Sequence, residues 1–174
     1  VVQPPPPAPG MTPPPPPSSQ PGSPSTGAYQ DIINNASLAV ATVQKAKAYL
    51  SAGTVWSMTG PRGEVEVKAA IVYDGTAVAV LHFSPSSGSI LPLGLHVVET
   101  GVSPQIIENI KRNLPTIVSS LKILNCAEYR APESAWCIPL AYKNMIVAHL
   151  KIYTDGIHVI PDYPANQEMQ AYGK

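Results

Sequence analysis

At 174 residues the chain is long enough for one domain and an appendage. Hydrophobic residues make up 44% of it, enough to bury a core, while charged residues are only 13%, about half the usual share of a soluble domain. The formal net charge is zero and the pI is near 7.1, which excludes a basic field that would gather nucleic acid or acidic lipid.

Residues 1–27 hold twelve of the 21 prolines, and the first charge is Asp31. Such a segment supplies neither a core nor a sheet, and its expected form is an extended polyproline II arm, broken near Gly10 and again over 23–27. At about 3.1 Å per residue the arm reaches roughly 80 Å. A domain formed by 28–174 has a radius of gyration of about 15 Å, so the arm extends past a neighbouring domain. It serves either as a spacer or as a strand that lies on another molecule.

A helix is expected next. Ile32, Ala36, Ala39, Val43, Ala46 and Leu50 recur at spacings of four and three, one apolar helical stripe, and Gly53 is its expected stop. In "GEVEVKAAIVYDGTAVAVLHF" the charges Glu64, Glu66 and Lys68 alternate with Val65, Val67 and Ala69, the period of a half-buried strand. Asp74-Gly75 predicts a two-residue hairpin turn. The chain then runs on as a second strand, turns at "SPSSG" and continues as "SILPL", giving a three-strand meander. No stretch spans a bilayer; the best, 69–98, is broken by Asp74, three glycines and two prolines.

Ser103-Pro104 predicts a second helix start, a cap followed by proline at the first helical position. Its apolar positions include Ile106, Ile110, Leu114, Ile117, Val118 and Leu121, and Pro115 is expected to kink or divide it. The rest repeats the first half. "YDGTAVAVLHF" aligns with "YKNMIVAHLKI" at an offset of 69, with Lys143-Asn144 replacing Asp74-Gly75 and Asn supplying the left-handed residue. "SPSSGSILP" becomes "YTDGIHVIP", with the turn one residue tighter, and "IINN" at Ile32 matches "IIEN" at Ile106. The expected fold is therefore α+β: two repeated helix–meander units, about 29–98 and 103–163, whose antiparallel sheets pack on the helices, followed by a short C-terminal tail.

On those residues each half resembles the PepSY type of extracytoplasmic module. In that family a helix precedes a strand, a turn carrying Asp-Gly or similar, a second strand and a turn of the form D-x-x-T-G-x-V. The matching stretches are "YDG…LHFSPSSGSIL" and "YKN…LKIYTDGIHVI", and the resemblance covers most of 29–163. The family's usual Asp and Thr in the second turn are Ser84 and Ser87 in the first copy, and the second copy also departs from the pattern. The resemblance implies a small exported module that binds, inhibits or serves as a building block, without catalytic residues.

The chemistry-bearing residues support no enzyme. His82 and His149 are expected on the sheet face opposite Ala79, Leu81 and Phe83, as outer-face or interface positions rather than a metal link between subunits. "SPSSGS" has hydroxyls but no neighbouring base, and Glu64 and Glu66 share a strand face without a partner acid. Residues 60–63 lack the lysine and spacing of a phosphate cradle. Trp56 and Tyr129 fall at similar places before their meanders, and Trp136 takes the core-facing slot of Val67, so core packing outweighs a sugar platform. Asn35-Ala36-Ser37 is a sequon inside a predicted helix, where glycosylation is not expected. No cofactor is implied.

Cys126 and Cys137 sit eleven apart. In an exported chain they are expected to form a disulfide, whose closed loop stabilises by roughly 3 kcal/mol; in the cytosol they would be two buried thiols. A start at Val1 without an initiator Met suits an extracellular or periplasmic product after signal-peptide removal, a cloned fragment being the alternative. Two readings follow. The first is a non-enzymatic structural subunit of an extracellular or cell-envelope assembly, a filament being one form, that contacts copies of itself or another envelope protein. Its low charge does little to oppose self-association. The contacts expected on a neighbour are Val1, Val2, Pro4, Pro5, Pro6, Pro7, Met11, Pro13, Pro14, Pro15, Pro16 and Pro17. The second is a monomeric periplasmic PepSY-like binding or inhibitory module on a passive tether.

Overall fold

A computed structural model describes residues 26–174, with side chains from residue 29 onward. The expected polyproline arm, and the contacts expected along it from Val1 to Pro17, lie outside the described residues. Helix α1 spans Thr26–Ala46; of the expected stripe it buries Ala39, Val43 and Ala46 and half-buries Ile32 and Ala36, and it buries Val40 as well. It ends in a 3-10 turn, Lys47–Tyr49, after which Leu50 turns to extended backbone (φ −72°, ψ 135°).

Gly53 is therefore not the helix stop. It lies inside strand β1, Ser51–Thr59, which antiparallel pairing joins to β2, Val65–Tyr73. A Cβ at Gly53 would come within 2.6 Å of the Val72 side chain and 3.0 Å of Ala70 Cβ, so glycine allows the strands to close where their register slips between Ala52 and Val55. Strand β3, Thr76–Phe83, follows the expected hairpin turn, with Asp74 and Gly75 both left-handed (φ 50° and 76°). Sheet A thus has the order β1-β2-β3. The meander holds three strands, displaced one strand toward the N-terminus. "SILPL" contributes only an isolated bridge from Ile90 to Phe83, since Pro92 has no N–H to donate and Gly94 turns the chain at φ 84°.

Helix α2 is Pro104–Ser119, and the Ser103 hydroxyl accepts the Ile106 N–H at 3.3 Å, as a cap should. Pro115 neither ends nor divides it. The ring sits on the exposed side of the helix, where the carbonyl left without its usual donor faces water rather than the core.

Sheet B follows: β4 (Lys122–Ile123), β5 (Glu128–Arg130), β6 (Ala135–Tyr142) and β7 (Met145–Tyr153). β4 and β5 both pair with one edge of β6, and β7 pairs with the other. In the β6–β7 turn the left-handed residue is Lys143 (φ 54°), not Asn144. The loop after β7 closes by an Ile152–Val159 bridge. It spans the same six residues as the loop between Phe83 and Ile90, so it is not tighter; only its left-handed glycine stands one position earlier.

The expected C-terminal tail is a third helix, α3, Tyr163–Tyr172. The Asp162 carboxylate accepts the Ala165 N–H at 3.0 Å, and Pro164 stands in the first turn.

The two sheets stay separate, with β3 and β7 side by side and no ladder between them. Backbone bonds cross from half to half: the Leu93 N–H donates to the Ile146 carbonyl (2.8 Å) and the Asp162 N–H to the Ala77 carbonyl (2.9 Å). The helices cross as well. α1 lies against β6 and β7, and α2 lies against β1, so each helix covers the other half's sheet and one continuous core results. α3 then packs on the far side of sheet A. The molecule has three layers through sheet A and two through sheet B. Among the described residues no helix is long and apolar enough to cross a membrane.

Candidate interaction surfaces

The outer face of sheet A is closed. Trp56, Ala70 and Ala77, with Met58, Val72 and Val80 around them, meet Ala165 and Met169 of α3 in a second, smaller core. The Glu168 carboxylate completes the contact, accepting from Trp56 Nε1 at 3.2 Å and from Lys68 Nζ at 3.0 Å; Lys68 also reaches Glu66 at 3.5 Å. His82 pairs across the ladder with Lys68. Burial first, and then the Lys68 charge, hold its pKa below the ordinary value near 6.5.

Among the described residues no helix covers the outer face of sheet B. That face presents Cys137, Pro139, Ile146, His149 and Lys151, edged by the ion pairs Lys151–Glu133 (2.8 Å) and Arg130–Glu128 (3.8 Å). Burial lowers the pKa of His149, and the neighbouring Arg130 and Lys151 lower it further, which keeps the ring neutral at pH 7. Burial raises the Cys137 thiol, holding it protonated, and the hydrogen bond from Lys151 holds Glu133 ionised. Two clefts meet at His149. One, of about 280 Å³, is lined by Cys126, Cys137, Pro139 and Ile146. The other, of about 270 Å³, is lined by Glu133, Lys151, Asp162 and Tyr163. This arrangement offers shape and polar contacts for binding. Burial of the Cys137 thiol in its protonated form works against its use as a nucleophile. Among the described residues no three His, Cys, Asp or Glu side chains gather closely enough to hold a metal ion.

The expected disulfide is not formed; Cys126 is an exposed free thiol and Cys137 a buried one. In the ladder the cross-strand partner of Cys137 is Glu128, and Cys126 lies two residues before that partner, outside β5, so the two cysteines are not cross-strand partners.

A third surface lies along α1, whose apolar stripe is wider than the core uses. Tyr29 (53% exposed) and Ile33 flank the buried stripe on one side, and Leu38 and Tyr49 (73% exposed) on the other. On the second flank Leu38, Thr42, Lys45 and Tyr49 form one wall of a groove of about 310 Å³, with Tyr73 and Ile157 opposite. A matching groove beside α2 is walled by Asn113, Thr116, Tyr142 and Met145. There the Lys143 ammonium sits over the Tyr142 ring, 5.4 Å from its centre, and covers the aromatic face. Residue 74, which follows Tyr73, is an aspartate and supplies no such cover.

Other residues singled out in the sequence serve packing. Trp56 and Tyr129 are not equivalent. Trp56 pairs with Lys68 and points under α3, while Tyr129 belongs to the main core, a one-residue offset that reverses the face. Trp136 is buried against Tyr129 (ring centres 5.0 Å apart), and its Nε1 has no hydrogen-bond partner among the described residues. Asn35 Nδ2 donates to the Thr154 carbonyl at 3.0 Å, which ties α1 to the loop after β7. The sequence reading missed α3, although Asp162 and Pro164 repeat the cap-and-proline pattern of Ser103-Pro104.

No family model matches the chain, no curated protein matches it, and no solved structure matches it.

Proposed function

We propose that the protein is a non-enzymatic structural subunit of an extracellular or cell-envelope assembly, a filament in its extended form, whose proline-rich arm docks on neighbouring copies. The observation that carries this reading is the apolar surface left over on α1. Tyr29, Ile33 and Leu38 stay exposed on the very helix that the arm runs into, and Tyr49 on the 3-10 turn that ends it, on a chain with little charge to keep copies apart. The two halves are copies of one unit of PepSY type, serving as a building block. Support comes from features 69 positions apart: left-handed Asp74 and Lys143, strand bulges at Ile71/Val72 and Leu140/Ala141, and bridges Phe83–Ile90 and Ile152–Val159. The crossing bonds Leu93–Ile146 and Asp162–Ala77 exchange roles under the same offset. The export of the chain belongs to the same proposal.

The test compares the full chain with one that starts at Thr26, by size-exclusion chromatography and negative-stain microscopy. The full chain is expected to assemble, and the shortened chain to stay monodisperse with an unchanged far-ultraviolet circular dichroism spectrum. Monodisperse monomers from both chains would overturn the proposal. They would favour the second reading, a monomeric periplasmic binding or inhibitory module on a passive tether, for which the two clefts at His149 are the supporting observation.

A further inference from the structure

The groove beside α1 matches a proline run in chemistry as well as in shape. Successive prolines present carbonyl acceptors and no N–H donors. The polar side chains of the groove are donors of the complementary kind. Lys45, Tyr49 and Tyr73 make no hydrogen bond among the described residues, and no carboxylate lines the groove to compete for them. The Thr42 hydroxyl is already committed to the Leu38 and Gly156 carbonyls (2.9 and 2.6 Å), so it serves as wall. Two tyrosine rings, Leu38 and Ile157 supply the apolar and aromatic surface on which extended proline segments dock. The matching groove beside α2 lacks this surface, because Lys143 lies over its tyrosine.

We infer that the groove formed by Leu38, Lys45, Tyr49, Tyr73 and Ile157 is the seat for a proline run of the N-terminal arm of a second copy of this chain. The inference rests on the assembly reading and names its contact. The arm fits by length and by charge. It has 25 residues before Thr26, reaching about 78 Å at about 3.1 Å per residue, and five consecutive prolines at 13–17. It carries no charge that the single Lys45 of the groove would repel. The groove begins at Leu38, twelve residues and about 18 Å along α1 from the point where the chain's own arm departs at Thr26. The chain's own arm would have to reverse to enter it, whereas a neighbour's arm enters directly.

The test uses full-length chains and a fluorescein-labelled peptide of residues 1–20. In the arm variant, Pro13, Pro14, Pro15, Pro16 and Pro17 are all replaced by serine, so that the protein's own arm does not compete. Peptide binding measured by anisotropy on this chain is expected to saturate. Adding Leu38→Ser and Tyr49→Ser, both at exposed positions that the fold does not need, is expected to weaken it at least tenfold. Val98→Ser, at an exposed position outside the groove, is expected to leave it unchanged. The arm variant, and a groove variant that carries Leu38→Ser and Tyr49→Ser with the native arm, are each expected to be monomeric, and their mixture is expected to give a one-to-one complex by light scattering, since one intact arm then meets one intact groove. Peptide that binds the arm variant equally well with and without Leu38→Ser and Tyr49→Ser, or assembly of the native-arm chain that survives Leu38→Ser with Tyr49→Ser, overturns the groove and leaves the assembly reading standing. A wild-type chain that stays monomeric overturns the assembly reading, and with it the neighbour as the source of the arm. A mixture that fails to pair also overturns the neighbour as source.

Discussion

The outer face of sheet A lies under α3, whereas the outer face of sheet B meets solvent, and the residues at matching register positions show why. Where sheet A has Ala70, Ala77 and Val80, sheet B has Pro139, Ile146 and His149, in each case 69 positions later. Two alanines at or below 1% exposure let α3 approach closely, and Trp56 fills the space beside them. On sheet B the long side chains of Arg130 and Lys151 cover the strands themselves, each paired with a glutamate. One antiparallel sheet is thus buried on both faces, and the other is core on one side and mixed apolar and charged on the other. The difference lies in these side chains and in α3, while the β2–β3 and β6–β7 hairpins pair alike.

The strongest way to break the comparison is at Trp56. Its ring is 2% exposed, and its indole N–H is bound by Glu168. Trp56→Ala is expected to cost about 3–5 kcal/mol in urea unfolding, because it opens a cavity under α3 and leaves Glu168 with Lys68 alone. Trp136→Phe is the control. That indole N–H has no partner to lose, and the ring contact with Tyr129 survives, so a change below about 1.5 kcal/mol is expected. A small loss at Trp56 would mean that α3 contributes little to the fold.

Much of this architecture was legible in the sequence. Both long hairpins and the Ser103-Pro104 helix start rest on local turn and cap chemistry, which a few adjacent residues determine. β1 was hidden because a glycine that permits close strand approach looks, in sequence, like one that ends a helix; only the nearness of Val72 and Ala70 separates the two. α3 is legible in its cap, Asp162 with Pro164, but follows a run of turns that makes the segment look like a tail. The groove beside α1 was half legible. Thr42, Lys45 and Tyr49 share a helical face by spacing, but Tyr73 and Ile157 reach it only through folding. The disulfide failed on register, which cysteine spacing alone does not contain.

A pH titration sharpens the comparison, since one depressed histidine lies on each sheet. Both His82 and His149 have folded pKa values below the ordinary 6.5, chiefly through burial. Below about pH 6.5 the unfolded chain therefore binds more protons than the folded one. Stability from these groups is full above that pH and is lost as pH falls from 6.5 through the folded values. Urea midpoints measured between about pH 7.5 and pH 5.5 are expected to fall, and His82→Gln combined with His149→Gln to flatten the fall. An unchanged slope in the double variant would show that other groups carry it.

The smallest expected effect tests the open face itself. Ile146 is 42% exposed on β7, and its carbonyl, which serine retains, accepts the Leu93 N–H. If solvent covers this face, Ile146→Ser removes a side chain that was already largely wet, and unfolding of the full chain is expected to shift by no more than about 0.5 kcal/mol. A loss above about 1 kcal/mol would mean that the side chain is buried in the full-length protein. The cover would then have to come from residues 1–25 or from another copy, and repeating the measurement on the chain that starts at Thr26, over a range of protein concentrations, separates the two. A loss that vanishes in the shortened chain and is independent of concentration in the full chain assigns the cover to the chain's own arm, and a loss that grows with the concentration of the full chain assigns it to a neighbour. Either result would make the outer face of sheet B, like that of sheet A, a covered surface.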